Sequence, residues 1–134
     1  LLGRGRFLEL YLLGGLCASL ASMLVHVEYT ETLGASGAMF ALEAMSAAMD
    51  PERLCNFAGL TMTAMQLLCC RVALDAFQFF GGAHLDYVAH IAGLLLGWSY
   101  FRCLREVGCG PLEWVLGLPA NHRLKGRAPR YLIR

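Results

Sequence analysis

The chain has 134 residues, of which 57% are hydrophobic and only 16% are charged. This composition is more apolar than that of an ordinary soluble domain, so we expect an integral membrane protein. A formal net charge of +1, with basic residues near segment ends and not on one face, gives no reason to expect nucleic acid as a partner.

Four apolar segments follow one another along the chain, at residues 7–27, 33–49, 54–77 and 85–104. Each is close to the ~20 residues that a membrane-spanning helix needs. We therefore predict an all-α, multi-pass membrane protein in which about four helices form a transmembrane bundle surrounded by the lipid bilayer.

The connection between the second and third segments carries Asp50 directly before Pro51. Aspartate favours helix N-caps and proline favours the first helical position, so a turn followed by the third helix is predicted there. Within that helix Arg71 precedes Asp75 by four residues, a spacing that predicts an intrahelical ion pair.

Basic residues are distributed unequally among the loops. Arg4 and Arg6 precede the first segment, Arg53 lies between the second and third, and the tail at residues 105–134 is basic. By the positive-inside bias, both termini and the middle loop face the cytoplasm-like side, with the tail outside the membrane. The second and fourth helices therefore begin on the opposite side.

Six cysteines lie mostly within or beside the apolar segments: Cys17, Cys55, Cys69, Cys70, Cys103 and Cys109. Zinc ligation by Cys69 and Cys70 is an alternative to a packing role, but neighbouring helix positions point about 100° apart. We expect thiols that pack in the bundle, with no metal and no cofactor.

One face of the fourth segment combines a histidine with small residues. Projection at 100° per residue places four residues within an arc of about 60°: Asp86, His90, Gly93 and Gly97. The second segment offers a matching set of small residues: Gly37, Ala41, Ala44 and Ala48. Small residues at four-residue spacing let membrane helices approach closely. Packing of these faces predicts that Ser36 and His90 meet, since both lie near a helix start on the same side of the membrane.

Ser36 and His90 are the two residue types that nucleophilic catalysis by a serine requires, a nucleophile and a base. A serine hydroxyl becomes a good nucleophile when a base within ~2.6–3.2 Å removes its proton, and histidine does so near neutral pH. The oxyanion would lie at a helix N-terminus, beside the backbone of Gly34, Ala35 and Ser36, where negative charge is favoured. Three alternatives stay open: Ser36 as a helix cap, His90 as a neutral buried residue bonded to the backbone, and the glycines as packing residues.

Two motifs resemble those of the rhomboid intramembrane serine proteases. They are GxSG at residues 34–37 and AHxxGxxxG at residues 89–97, and the resemblance covers residues 1–104. It implies a rhomboid-like six-helix core that cleaves single-pass transmembrane protein substrates, with Ser36 as nucleophile, His90 as general base and no acidic third member. It also implies that Phe40 packs against the histidine ring and that the third helix acts as a lateral substrate gate.

The chain also departs from the family pattern. The first two core helices, the second of which supplies oxyanion side chains in the family, have no counterpart here, so residues 1–104 are expected to form an incomplete core. Ala92 stands where glycine is commoner. The stretches "PERL" and "ALDAF" resemble the mitochondrial, presenilin-associated branch, which implies the mitochondrial inner membrane.

Two acidic residues admit more than one role. Glu43 could tune His90, but a hydrogen bond to a hydroxyl, amide or arginine inside the bundle is favoured, because an unpaired buried carboxylate is costly. Asp86 precedes His90 by one turn. A place for Asp86 as third member of a triad is not favoured, since this spacing leads along the helix toward the surface.

Two other functions compete with proteolysis. The first is a non-catalytic rhomboid-like membrane protein that binds client transmembrane helices. The second is an ordinary helical bundle in which Ser36 and His90 point apart.

Overall fold

A computed structural model describes residues 3–25, 35–80, 87–108, 110, 112, 115 and 116. In chain order it contains the helices α1 (Arg4–Val25) and α2 (Ala35–Met49), the strands β1 (Leu54–Phe57) and β2 (Leu60–Thr63), and the helices α3 (Ala64–Phe80) and α4 (Tyr87–Glu106). The predicted, mostly helical class is confirmed, with one short hairpin added. α4 continues to Glu106, two residues into the stretch predicted as tail.

Helices α1, α2 and α4 pack against one another, whereas α3 packs mainly on α2. Small residues allow the close crossings. Gly14 of α1 lies against Ala38 and Ala41 of α2. Beyond this crossing a cluster of larger buried side chains joins the three helices: Leu10, Met45, Tyr100 and Leu104, together with Ala41.

A second buried cluster joins α2 to α3. It contains Phe40, Ala44 and Ala47 of α2 with Ala64 and Leu68 of α3. Ala44, which the sequence analysis assigned to the face toward the fourth helix, therefore packs in the cluster with α3. At about 100° per residue Ala44 lies at the edge of this stripe, on the side of Phe40 and Ala47, and so borders the face of α2 that packs on α3.

α1 has the length and composition of a transmembrane helix. Its outward face carries an unbroken leucine stripe at four-residue spacing, all more than half exposed: Leu8, Leu12, Leu16, Leu20 and Leu24. Among the described residues, α1 is the helix that is both long and apolar enough to cross a membrane. The prediction of about four spans is not confirmed. α2 and α3 have 15 and 17 residues, and at about 1.5 Å per residue both are shorter than the ~30 Å hydrocarbon core.

The predicted start of the third helix is wrong. Asp50 and Pro51 do not open a helix. The Asp50 N–H donates to the Ser46 carbonyl at 3.1 Å and so closes α2. Residues 54–63 form an antiparallel hairpin in which Leu54 pairs with Thr63 and Phe57 with Leu60.

Local side chains and backbone angles explain the hairpin. Ala58 and Gly59 form its two-residue turn with φ of 52° and 83°, the left-handed values that a tight hairpin turn requires. Thr63 and Gln66 then form a reciprocal capping box at the start of α3. The Gln66 N–H donates to Thr63 Oγ1 at 3.2 Å, and the Thr63 N–H donates to Gln66 Oε1 at 2.9 Å.

A buried carboxylate ties the end of α4 to the start of α1. Glu9 is 9% exposed and accepts hydrogen bonds from the Tyr100 hydroxyl at 2.8 Å and from the Leu112 N–H at 2.9 Å. No pattern in the sequence indicated this contact. It holds the described part of the segment after α4 against the bundle.

Replacing Tyr100 with phenylalanine is expected to lower the free energy of unfolding by about 1–3 kcal/mol, because a buried carboxylate then loses a donor. Thermal unfolding in detergent measures the change. Tyr11→Phe is the matched control: Tyr11 is a half-buried tyrosine of α1 whose described contact is ring stacking on Phe7. Equal melting of the Tyr100→Phe variant and the wild type would contradict the expected role of Glu9.

Candidate active site

Ser36 lies in the first turn of α2 and is half-buried. Ala35, the first residue of the helix, is exposed. Gly34, the third residue predicted at the oxyanion site, lies outside the described residues. The described part of the GxSG motif thus occupies a helix N-terminus, where backbone N–H groups lack partners within the helix.

His90 lies in the first turn of α4, and it is 8% exposed. Its ring stacks on Phe40, with centroids 4.5 Å apart and an interplanar angle of 19°. Phe40 follows Ser36 by four residues, so the two side chains lie on one face of α2. His90 therefore stacks one helical turn from Ser36.

The backbones beside these two residues are in close contact. A Cβ built on Gly37 would lie 3.0 Å from the Ala89 carbonyl oxygen. Gly37 directly follows Ser36, and Ala89 directly precedes His90. The first turns of α2 and α4 are thus held together by main-chain packing.

Gly93 and Gly97 continue this crossing along α4. A Cβ on Gly93 would overlap the Gly37 carbonyl oxygen, and a Cβ on Gly97 would overlap that of Ala41. The obstacle in each case is backbone, which cannot turn aside as a side chain can. All three predicted packing glycines therefore lie in the α2–α4 contact.

The acidic and basic residues of α3 pair across helices. His90 Nδ1 lies 2.5 Å from Asp75 Oδ2, and Arg71 Nη1 lies 2.5 Å from Glu43 Oε1. The predicted pair of Arg71 with Asp75 is therefore wrong, since each residue finds an opposite partner on a neighbouring helix. The favoured role for Glu43, a bond to an arginine inside the bundle, is the one the structure shows.

Arg71 also contacts the aromatic ring at the site. Its guanidinium carbon lies 5.1 Å from the centroid of the Phe40 ring, a distance at which a cation is attracted to the ring face. Phe40 thus contacts His90 and Arg71. Asp86, the acid considered in the sequence analysis, lies outside the described residues.

A cavity of about 320 Å³ opens beside His90 and Asp75, between α3 and α4. Phe40 also lines the cavity. The remaining lining residues come from both helices and are mostly apolar: Val72, Ala76, Phe80, Tyr87, Ile91 and Leu94. Such a space accepts an apolar group next to an imidazole.

The contact between Asp75 and His90 is the site feature that sequence reasoning missed. A signal was present, because an acidic residue in an apolar helix requires a partner and is functional by default in a membrane. The four-residue spacing favoured Arg71 as a local partner for Asp75, so the partner on another helix, His90, was not predicted. Cys69 and Cys70, the zinc alternative, are exposed free thiols on α3, and no three metal-ligating side chains cluster among the described residues.

Comparison with known proteins identifies the chain at the level of the family. Residues 1–107 match the model of the Rhomboid domain, which is more than half of the sequence. No curated protein and no solved structure matches the chain significantly. The resemblance inferred from the two motifs is thereby confirmed: this chain belongs to the rhomboid family.

Proposed function

We propose that this rhomboid-family membrane protein is an intramembrane serine endopeptidase, with Ser36 as nucleophile and His90 as general base and then general acid. The observation that carries the proposal is the stacking of His90 on Phe40, one helical turn from Ser36. The backbone contact between Gly37 and Ala89 supports it, because it joins the two helix starts.

The reaction follows from these two side chains. The His90 imidazole takes the hydroxyl proton of Ser36 while Oγ attacks the carbonyl carbon of the scissile peptide. The oxyanion lies at the N-terminus of α2, near the backbone of Ala35 and Ser36, where the helix dipole and N–H groups stabilise it. The imidazolium then protonates the leaving amine, and the acyl group remains on Oγ. Water, deprotonated by His90, releases the acid and restores Ser36.

The surroundings fit a substrate that is itself a transmembrane segment. The cavity beside His90 is largely apolar, and α1 presents a leucine stripe outward. We therefore assign single-pass transmembrane proteins as substrates. The four-span bundle at residues 1–104, with residues 105–134 outside the bilayer, belongs to the same proposal. Location in the mitochondrial inner membrane stays a prediction.

Ser36→Ala in the full-length protein is expected to abolish both labelling by a fluorophosphonate probe and cleavage of a single-pass transmembrane reporter in liposomes. The reason is that Ser36 Oγ is the atom that we propose attacks both the probe and the scissile peptide. Loss of the nucleophile typically removes a factor of about 10⁶ from kcat. Gel fluorescence and reporter fragments measure the two outcomes.

Ser99→Ala is the matched control, because Ser99 is an exposed α4 residue that donates to the Leu95 carbonyl at 2.7 Å. It is expected to label and cleave as the wild type does. Cleavage that persists in Ser36→Ala would remove Ser36 from the mechanism. A wild type that binds the reporter but is neither labelled nor active would favour the non-catalytic, client-binding alternative.

A further inference from the structure

A carboxylate on α3 contacts the histidine that we propose as the base. Asp75 Oδ2 lies 2.5 Å from His90 Nδ1, and the two side chains are only 20% and 10% exposed. They are 15 residues apart on different helices. The contact is therefore produced by the docking of α3 beside α4.

Among the described residues, the contact partner of Asp75 on another helix is His90. Arg71, one turn earlier on α3, bonds Glu43. A carboxylate in apolar surroundings is costly unless a donor satisfies it, and the His90 ring supplies the one described donor. The interaction thus gives the Asp75 carboxylate a hydrogen-bond partner and also restricts the orientation of the His90 ring.

Stacking alone does not orient the imidazole. The Phe40 ring supports the flat face of His90 at 4.5 Å, but a ring resting on a flat face can still turn over and exchange its two nitrogens. A hydrogen bond at one nitrogen removes this freedom and also selects the tautomer. Asp75 makes that bond at Nδ1.

We propose that Asp75 is a positioning residue for His90. It accepts the Nδ1–H bond, keeps the lone pair of Nε2 available for the Ser36 proton, and stabilises the imidazolium that forms when that proton arrives. The Nδ1 proton stays on the imidazole throughout. This inference rests on the proposed function, and it adds an acid where the family resemblance implied none.

The test compares Asp75→Asn with the wild type in the full-length protein. An amide offers an N–H to Nδ1 and so favours the tautomer that carries its proton on Nε2. We expect kcat for the transmembrane reporter, and the rate of fluorophosphonate labelling, to fall by roughly 10⁴-fold. KM is expected to stay within about twofold, because the substrate contacts are unchanged.

Nitrogen NMR of histidine-labelled protein gives a readout that does not depend on turnover. In a Ser36→Ala background, the His90 signals are expected to show the Nδ1–H tautomer with Asp75 and a shift toward the Nε2–H tautomer with asparagine. A change in folding alone would not exchange the two tautomers.

Glu43→Gln is the matched control. It weakens the ion pair between α3 and α2, the bond of Glu43 to Arg71, and leaves Asp75 in place. We expect it to keep kcat within about threefold of the wild type. An equal loss in Asp75→Asn and Glu43→Gln would show that docking of α3 matters and overturn a specific role for Asp75.

Two further outcomes separate this inference from the proposed function. If the wild type is labelled and active while Asp75→Asn matches it in rate and tautomer, the positioning role is overturned and the protease stands. If the wild type is neither labelled nor active, the proposed function is overturned, and the catalytic role of Asp75 with it.

Discussion

Replacing Gly93 with alanine is expected to separate α4 from α2 and to abolish labelling of Ser36. The added Cβ would overlap the carbonyl oxygen of Gly37, and that atom belongs to the backbone next to the proposed nucleophile. No rotamer change can relieve the overlap, so the helices must move. We expect the free energy of unfolding to fall by about 3 kcal/mol, the upper part of the range for overpacking. Thermal unfolding in detergent and fluorophosphonate labelling measure both effects.

Gly5→Ala is the matched control. Gly5 lies in α1, and a Cβ there meets nothing within 4 Å. Because alanine favours helix over glycine by about 1 kcal/mol, this variant is expected to melt at or above the wild-type temperature and to label normally. A Gly93→Ala variant that melts and labels like Gly5→Ala would show that the α2–α4 contact is looser than described.

The helix pairing could be predicted from sequence because it depends on local spacing. Glycine at positions 37, 93 and 97 repeats on helical faces, and a face with only small side chains lets another helix approach closely. The predicted segments 7–27, 33–49 and 85–104 coincide with α1, α2 and α4 to within a few residues. Family resemblance added the packing of Phe40 on the histidine, which spacing alone does not contain.

The hairpin was missed because residues 54–77 form one apolar run, and an apolar run does not distinguish a strand from a helix. Only weak sequence signals divide this run into a hairpin and a helix. Thr63 and Gln66 have the spacing of a capping box, but the turn at Ala58 and Gly59 lacks the asparagine or aspartate that usually marks such a turn.

The partners of Arg71 and Asp75 on other helices could not be predicted from the sequence, for a different reason. Spacing along one helix identifies a possible partner for Arg71 in Asp75, but it does not say which other helix will dock against that face. Glu43 and His90 come from α2 and α4. A partner on another helix, Glu43 for Arg71 and His90 for Asp75, replaces the local pair once α3 is in place. Cross-helix contacts therefore appear only with the tertiary structure.

Phe40→Ala is expected to have the second large effect, a loss of about 3–5 kcal/mol in the free energy of unfolding. Phe40 is 1% exposed, and it packs in the cluster that joins α2 to α3. Its ring also supports His90 on one side and attracts Arg71. Alanine would leave a cavity and remove the flat surface under the imidazole. Thermal unfolding and the labelling rate of Ser36 measure the two consequences.

A second variant separates these consequences. Phe40→Leu refills much of the cavity but offers no flat face, so it is expected to recover most of the free energy of unfolding and little of the labelling rate. Phe77→Ala, at a phenylalanine of α3 that is 76% exposed, controls for the loss of an aromatic side chain and should change neither quantity. Labelling of Phe40→Leu at the wild-type rate would mean that volume alone matters at position 40. The orientation of His90 would then depend on the bond to Asp75 and not on stacking.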